Sequence, residues 1–172
     1  NFVRLLSDYP AETLHETILG FHDTKARYEV FQHAVEADVC GRAKDVQREI
    51  SFFQDREDIT GVLGQMQAEG KLPLRVTHND TKLNNIMMDK KTGKGICVID
   101  LDTVMPGLSV HDFGDSIRFG ASTGAEDEPD LSKVNFDIHL FELYTKGFLE
   151  GCQGSLTETE IAMLPMGAKV MT

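Results

Sequence analysis

The sequence has no tryptophan and only three cysteines, Cys40, Cys97 and Cys152. They lie far apart, are odd in number and form no CxxC pair, which argues against a disulfide framework or a thiolate zinc site and for a reducing cytoplasm. The six histidines show neither HxxxH nor HExxH spacing, so no helix presents a zinc-hydrolase pair. No apolar run approaches the length of a membrane span, and residues 1–10 carry no signal-peptide pattern. Basic residues are scarce, with Lys+Arg 17 against Asp+Glu 28 and a formal net charge of -11. That balance argues against nucleic acid as a partner, because a phosphate backbone calls for Lys/Arg-rich faces. Internal repeats and low-complexity tracts are also missing.

The 172 residues, 41% of them hydrophobic, suffice for one compact domain with its own core, so 1–172 reads as a single domain. The chain begins at Asn1 rather than Met and stops just after the apolar stretch Ile161 to Val170, so it reads as truncated at both ends. Helical spacing dominates the first half. Asp23 is an N-cap candidate before Ala26, Val30, Phe31, Ala34 and Val35, and Gly41 interrupts that run. A second helix is expected over 42–54 and a third over 58–69, stopped by Gly70. From Leu74 the pattern turns β-like: a short strand at 74–76, then Ile86-Met87-Met88 and Ile96-Cys97-Val98-Ile99 flanking the polar turn 89–95 as a hairpin. A short helix is expected over 112–119. A long helix over 134–151 follows, with Phe136, Leu140, Leu143, Tyr144 and Phe148 on its apolar side. The segment Thr157-Glu158-Thr159-Glu160 forms a capping box that opens a last helix. Glu126-Asp127-Glu128 reads as a solvated acidic loop, and Thr92-Gly93-Lys94 as hairpin turn rather than phosphate loop. The order is helices, a polar loop and hairpin, then helices: an α+β chain, mostly α, without βαβ alternation.

Between the short strand and the hairpin lies Thr77-His78-Asn79-Asp80-Thr81-Lys82-Leu83-Asn84-Asn85. It contains H-x-D-x-x-x-x-N with His78, Asp80 and Asn85 in register, and Asp100 stands at the end of the apolar run Ile96 to Ile99. A hairpin brings the backbone flanking Asn85 and Asp100 side by side. Phosphoryl transfer to a hydroxyl needs a carboxylate that orients the acceptor and takes its proton, and hard oxygen ligands that hold Mg²⁺ against nucleotide phosphates. Asp80 suits the first task. Asn85 and Asp100 suit the second, since magnesium takes few protein ligands and completes its shell with phosphate and water.

These residues, with Val98-Ile99-Asp100-Leu101-Asp102-Thr103-Val104-Met105-Pro106-Gly107 and Asp112-Phe113-Gly114-Asp115, resemble the aminoglycoside phosphotransferase and choline kinase superfamily, whose members have a protein-kinase-like fold. Within it the string is most similar to sugar kinases of the N-acetylhexosamine 1-kinase type. The match runs from about Thr77 to Ala121. The resemblance implies ATP and Mg²⁺ as cofactors, Asp80 as catalytic base, Asn85 and Asp100 as metal ligands, His78 as a buttress of the catalytic loop, and Asp112 as the later aspartate that stabilises that loop. Asp102 would be a carboxylate behind the metal ligands or on the substrate side, or merely solvated. Lys82 would contact a phosphate, or be a solvated loop lysine. The tripeptide Asp112-Phe113-Gly114 spells the protein-kinase DFG, yet Asp100 holds the metal position in this superfamily. The chain shows neither G-x-G-x-x-G nor a V-A-I-K-like strand, so the resemblance is to a C-terminal lobe with the N-terminal lobe absent.

The implied activity is ATP- and Mg²⁺-dependent phosphorylation of a small-molecule hydroxyl, a sugar first, an aminoglycoside or choline-like amino alcohol second, with neither nucleic acid nor membrane as partner. Two readings of other classes use the same residues. Asp100-Leu101-Asp102-Thr103-Val104 fits the D-x-D-x-[TV] nucleophile motif of haloacid-dehalogenase-type phosphatases, in which Asp100 would be phosphorylated. That reading leaves His78, Asp80 and Asn85 unused and needs a βαβ alternation the flanks do not supply. The other is an inactive pseudokinase or binding fragment, against which the joint retention of Asp80, Asn85 and Asp100 argues.

Overall fold

The computed structural model describes residues 1–125 and 127–172, and the chain folds into two compact units, one built from 1–18 together with 73–172, the other from 19–72. Glu126 of the expected acidic loop lies outside the described residues. Among the described residues the architecture is mixed α/β and mostly helical, with two two-stranded sheets.

In the 19–72 unit, helix α2 (Thr24–Ala37) starts where the Asp23 carboxylate accepts the Ala26 N–H at 2.9 Å. It stops short of Gly41. Asp38 takes the left-handed conformation (φ 35°), and its carboxylate then accepts the N–H groups of Arg42 and Ala43. The expected helix over 42–54 is a 3-10 turn, Ala43–Asp45, followed by α3 (Gln47–Gln54). The expected helix over 58–69 is two helices, α4 (Glu57–Thr60) and α5 (Val62–Ala68), separated at Gly61, a residue that gives up helix stability to backbone freedom. Tyr28, Ile50, Leu63 and Leu72 are the buried apolar side chains of this unit.

The other unit holds the catalytic-loop candidate. Before it, α1 (Phe2–Leu5) packs against β1 (Arg75–Thr77) and α7 (Ile138–Cys152), with Val3, Cys152 and Leu156 forming a small apolar cluster. Strand β1 pairs antiparallel with β4 (Met105–Gly107), which sequence periodicity did not suggest. Strands β2 (Ile86–Met88) and β3 (Gly95–Val98) form the expected hairpin. Its turn is closed by Asp89, whose carboxylate accepts from Lys91 N–H, Thr92 N–H and the Thr92 hydroxyl.

Helix α6 (Ser109–Gly120) is the centre of the core: Val110, Phe113 and Ile117 are buried, and the Phe113 ring meets those of Phe141, Tyr144 and Phe148. Those three rings come from α7. The expected apolar stripe is thus partly displaced: Phe136 precedes α7 and is exposed, Leu140 and Leu143 are exposed, and the half-buried Phe141 joins Tyr144 and Phe148 against Phe113. Helix α8 (Glu158–Met171) begins with the expected capping box between Thr157 and Glu160 and crosses α6 at very short range. A Cβ on Gly114 would overlap the Gly167 carbonyl, and a Cβ on Gly167 would overlap the Val110 carbonyl. Two glycines therefore let the helix backbones touch, a use that outweighs their poor helix propensity. Glu160 does more than cap. It is 1% exposed, pairs with Arg75 of β1 at 2.5 Å and accepts from the Ser109 hydroxyl, which ties β1, α6 and α8 together. Burial pushes the Glu160 carboxyl up, but Arg75, the Thr157 N–H and Ser109 outweigh it and hold it below the ordinary value.

Candidate active site

The segment from Thr77 to Asn85 leaves β1, turns over the middle of α6 and enters the hairpin through a 3-10 turn, Leu83–Asn85. Its conformation is set by side chains of α6. Asp112, 2% exposed, accepts the His78 N–H at 2.9 Å and the Asn79 N–H at 2.7 Å. Burial pushes the Asp112 carboxyl up to about 6, against the pull of those two N–H groups and of His78. Asn79 adopts φ 64°, a left-handed conformation that asparagine tolerates better than most residues. Its amide donates to the Thr103 carbonyl at 2.9 Å. Gly107 completes this corner, because a Cβ there would run into the Thr77 hydroxyl and crowd the Asn79 amide.

His78 is buried, and its Nε2–H donates to the carbonyl of Ile99 at 3.1 Å. Its own carbonyl accepts the Thr103 hydroxyl at 2.7 Å. His78 thereby links the loop to the chain on both sides of Asp100. The Asn85 carbonyl accepts the Ile99 N–H at 2.9 Å, so the hairpin ladder delivers Asn85 and Asp100 to one end of the same sheet. Asp100 is exposed and takes φ 61°, an uncommon state for aspartate that turns the chain sharply after β3.

The Asp80 side chain is 26% exposed. The Asn85 amide NH₂ donates to the Asp80 carbonyl at 2.9 Å and to its carboxylate at 2.8 Å, and the Lys82 ammonium stands 3.3 Å from the same carboxylate oxygen. With its nitrogen spent on Asp80, Asn85 has its amide oxygen to offer elsewhere. The donors at this end of the hairpin are thus an amide oxygen and exposed carboxylates, which suits a hard cation completing its shell with phosphate and water. Among the described residues no three His, Cys, Asp or Glu side chains converge on a common point. Asp102 is exposed, and it is its backbone carbonyl that accepts a contact, from the Thr17 hydroxyl at 3.4 Å.

Sequence reasoning gave no task to Asp115. Its carboxylate accepts the Thr81 N–H at 2.7 Å and pairs with Arg118 at 3.0 Å. The available signal was its spacing three residues after Asp112 on a helix, which puts both carboxylates on one face.

Among solved structures, the chain is similar to an aminoglycoside-3'-phosphotransferase of type VIII, with 19% sequence identity and a TM-score of 0.46 over 99% of this chain. It spans 57% of the length of that protein. Among the described residues, no helix is long and apolar enough to cross a membrane. The family model described as the phosphotransferase enzyme family (APH) matches residues 7–142, and the chain belongs to that family.

Proposed function

We propose that this chain carries the acceptor- and metal-binding half of a small-molecule kinase that moves the terminal phosphoryl group of ATP to a hydroxyl. The observation that supports it most is the Asp80 carboxylate, held by the Asn85 amide and flanked by Lys82, at the hairpin end that also carries Asp100. In this reading Asp80 orients the acceptor hydroxyl and takes its proton as the new O–P bond forms. Lys82 presents positive charge to the transferring phosphate. Asn85 through its amide oxygen and Asp100 through its carboxylate would hold Mg²⁺. When bound, that ion neutralises charge on the phosphate oxygens. His78 and Asp112 brace the loop, and Asp102 faces the acceptor side. The residues correspond to the C-terminal lobe of a protein-kinase-like fold, read as one catalytic domain. The free cysteines Cys40, Cys97 and Cys152 support a cytoplasmic setting.

The acceptor we favour is a sugar of the N-acetylhexosamine kind at its anomeric hydroxyl. What supports it is the string Asp100-Leu101-Asp102-Thr103-Val104-Met105-Pro106-Gly107, which is similar to that of kinases for such sugars. Aminoglycosides and amino alcohols rank second. The test is ATP consumption by the protein, with any sequence that natively flanks these residues, over a panel of sugars, amino alcohols and aminoglycosides. Asp80→Ala is expected to lower kcat by about 10²- to 10⁴-fold, the usual worth of a general base. Asp100→Ala is expected to weaken Mg²⁺-nucleotide binding. Full transfer by Asp80→Ala would remove the base. A phosphoryl group trapped on Asp100 would transfer the assignment to the phosphatase reading, and nucleotide binding without turnover on every acceptor would make the chain a pseudokinase.

A further inference from the structure

Thr81 is bound to α6 by every polar group it has. Its N–H donates to Asp115 Oδ2 at 2.7 Å, its hydroxyl lies 2.7 Å from the Asp112 carbonyl and 3.1 Å from Asp115 Oδ2, and its carbonyl accepts from the Ser116 hydroxyl at 3.3 Å. Asp115 is 5% exposed, and its second oxygen is held by the Arg118 guanidinium through NH2 at 3.0 Å and Nε at 3.3 Å. A buried carboxylate is costly unless it is paired and hydrogen-bonded, and this one is both.

The consequence lies one residue to either side. Asp112 fixes the backbone at 78 and 79, and Asp115 fixes it at 81. Asp80 is spanned by the two clamps, and Lys82 leaves directly from the second. Their side chains are 26% and 29% exposed and meet each other at 3.3 Å. The direction in which each leaves the backbone depends on how residue 81 is held.

We propose that Asp115 is a positioning residue of the phosphotransfer site: by gripping the Thr81 N–H from the face of α6 it sets the aim of Asp80 and Lys82 together. This rests on the reading of Asp80 and Lys82 given above. Asp115 is buried and gives its oxygens to Thr81 and Arg118, so its removal is expected to act on turnover rather than on binding.

Asp115→Ala is expected to lower kcat about 10- to 100-fold, the range that small misplacements of a catalytic group produce, with KM for ATP and acceptor within about twofold of wild type. Asp115→Asn, which keeps an oxygen for the Thr81 N–H, is expected to lose less than Asp115→Ala. Thr81→Val, which keeps the N–H, is a milder variant should Asp115→Ala fail to fold; its expected loss is a few-fold in kcat. Amide hydrogen exchange at Thr81, read by NMR, is expected to speed up in Asp115→Ala while the amides of the α6–α8 crossing stay protected. An unchanged kcat, a loss confined to KM, or a Thr81 amide as slow as in wild type would overturn the proposal. If wild type transfers no phosphoryl group to any acceptor, the reading of function fails by itself, and exchange at Thr81 still decides whether Asp115 holds the loop.

Discussion

Asp112→Asn tests the electrostatics beneath the loop. In the folded chain the Asp112 carboxyl is pushed from 3.8 up to about 6, chiefly by burial. The gap of roughly two units corresponds to about 3 kcal/mol at 1.36 kcal/mol per unit. The sign follows from the direction. A carboxyl raised on folding contributes its full stability below the unfolded value, near 4, and loses it as pH rises through about 6. An amide does not titrate, so the stability difference between wild type and Asp112→Asn isolates this group, while the other acids cancel. Near pH 4 the protonated acid offers its carbonyl oxygen to one backbone N–H and a hydroxyl lone pair to the other, whereas the amide offers one oxygen only. The amide sets its NH₂ against the second backbone N–H and leaves that donor unpaired, at a cost of about 1–3 kcal/mol. Wild type is therefore the more stable protein at low pH. Near pH 7.5 the roughly 3 kcal/mol of ionisation cost falls on wild type alone, and Asp112→Asn becomes equal or more stable. Urea unfolding followed by far-UV circular dichroism at several pH values between about 4 and 7.5 measures the crossing. A difference that is flat with pH, or wild type gaining on the variant as pH rises, would refute the reasoning, because it would mean that the two loop N–H groups outweigh burial.

Gly114→Ala gains roughly 1 kcal/mol of helix propensity but drives a methyl into the Gly167 carbonyl, so a net loss of about 1–2 kcal/mol is expected in the urea midpoint. A stabilised Gly114→Ala would mean the helices have room. Arg75→Met leaves Glu160 buried without its partner and is expected to cost about 3–5 kcal/mol, read by thermal or urea unfolding. Because Glu160 is held below its ordinary value, the stability it adds is present above about pH 4.3 and is lost as pH falls through the depressed value, which Glu160→Gln should abolish in a pH series. Gly107→Ala presses on Thr77 and Asn79 and is expected to reduce turnover more than stability, since the displaced groups belong to the loop.

Local signals were legible in the sequence where one residue does its work within a few positions. The Asp23 cap, the Thr157–Glu160 box and the hairpin around Asp89 follow from short-range hydrogen bonds, and the structure has all three. Signals failed where a distant partner decides. Met105-Pro106-Gly107 has the look of a chain breaker, yet it forms β4 because β1 lies beside it to accept the pairing, from far earlier in the chain. Gly41 suggested the end of α2, but Asp38 ends it by capping the next turn with its own carboxylate. Glu160 was readable as a cap and unreadable as the buried partner of Arg75, since nothing local distinguishes an ion pair spanning 85 residues. For the candidate site, the loop's place between a strand and a hairpin was readable from apolar and polar runs. For the grip of α6 on it, only the family resemblance pointed to Asp112, and nothing pointed to Asp115.

The tripeptide Asp112-Phe113-Gly114 shows why letters need geometry. A metal-binding aspartate must spare an oxygen, and both oxygens of Asp112 are committed to backbone N–H groups in a buried helix face. Offering one to an ion would orphan a buried donor, at about 1–3 kcal/mol, and unfasten the loop. Asp100 is exposed at a hairpin end and bears no such duty. Phe113 fills the core against three rings of α7, and Gly114 exists for the crossing with α8. Each letter thus answers to a different neighbour: the loop, α7 and α8. A helix that must satisfy three partners at successive positions has little freedom left, and its rigidity is what makes Asp112 and Asp115, one turn apart, a usable fixture for the partly exposed charges of Asp80 and Lys82.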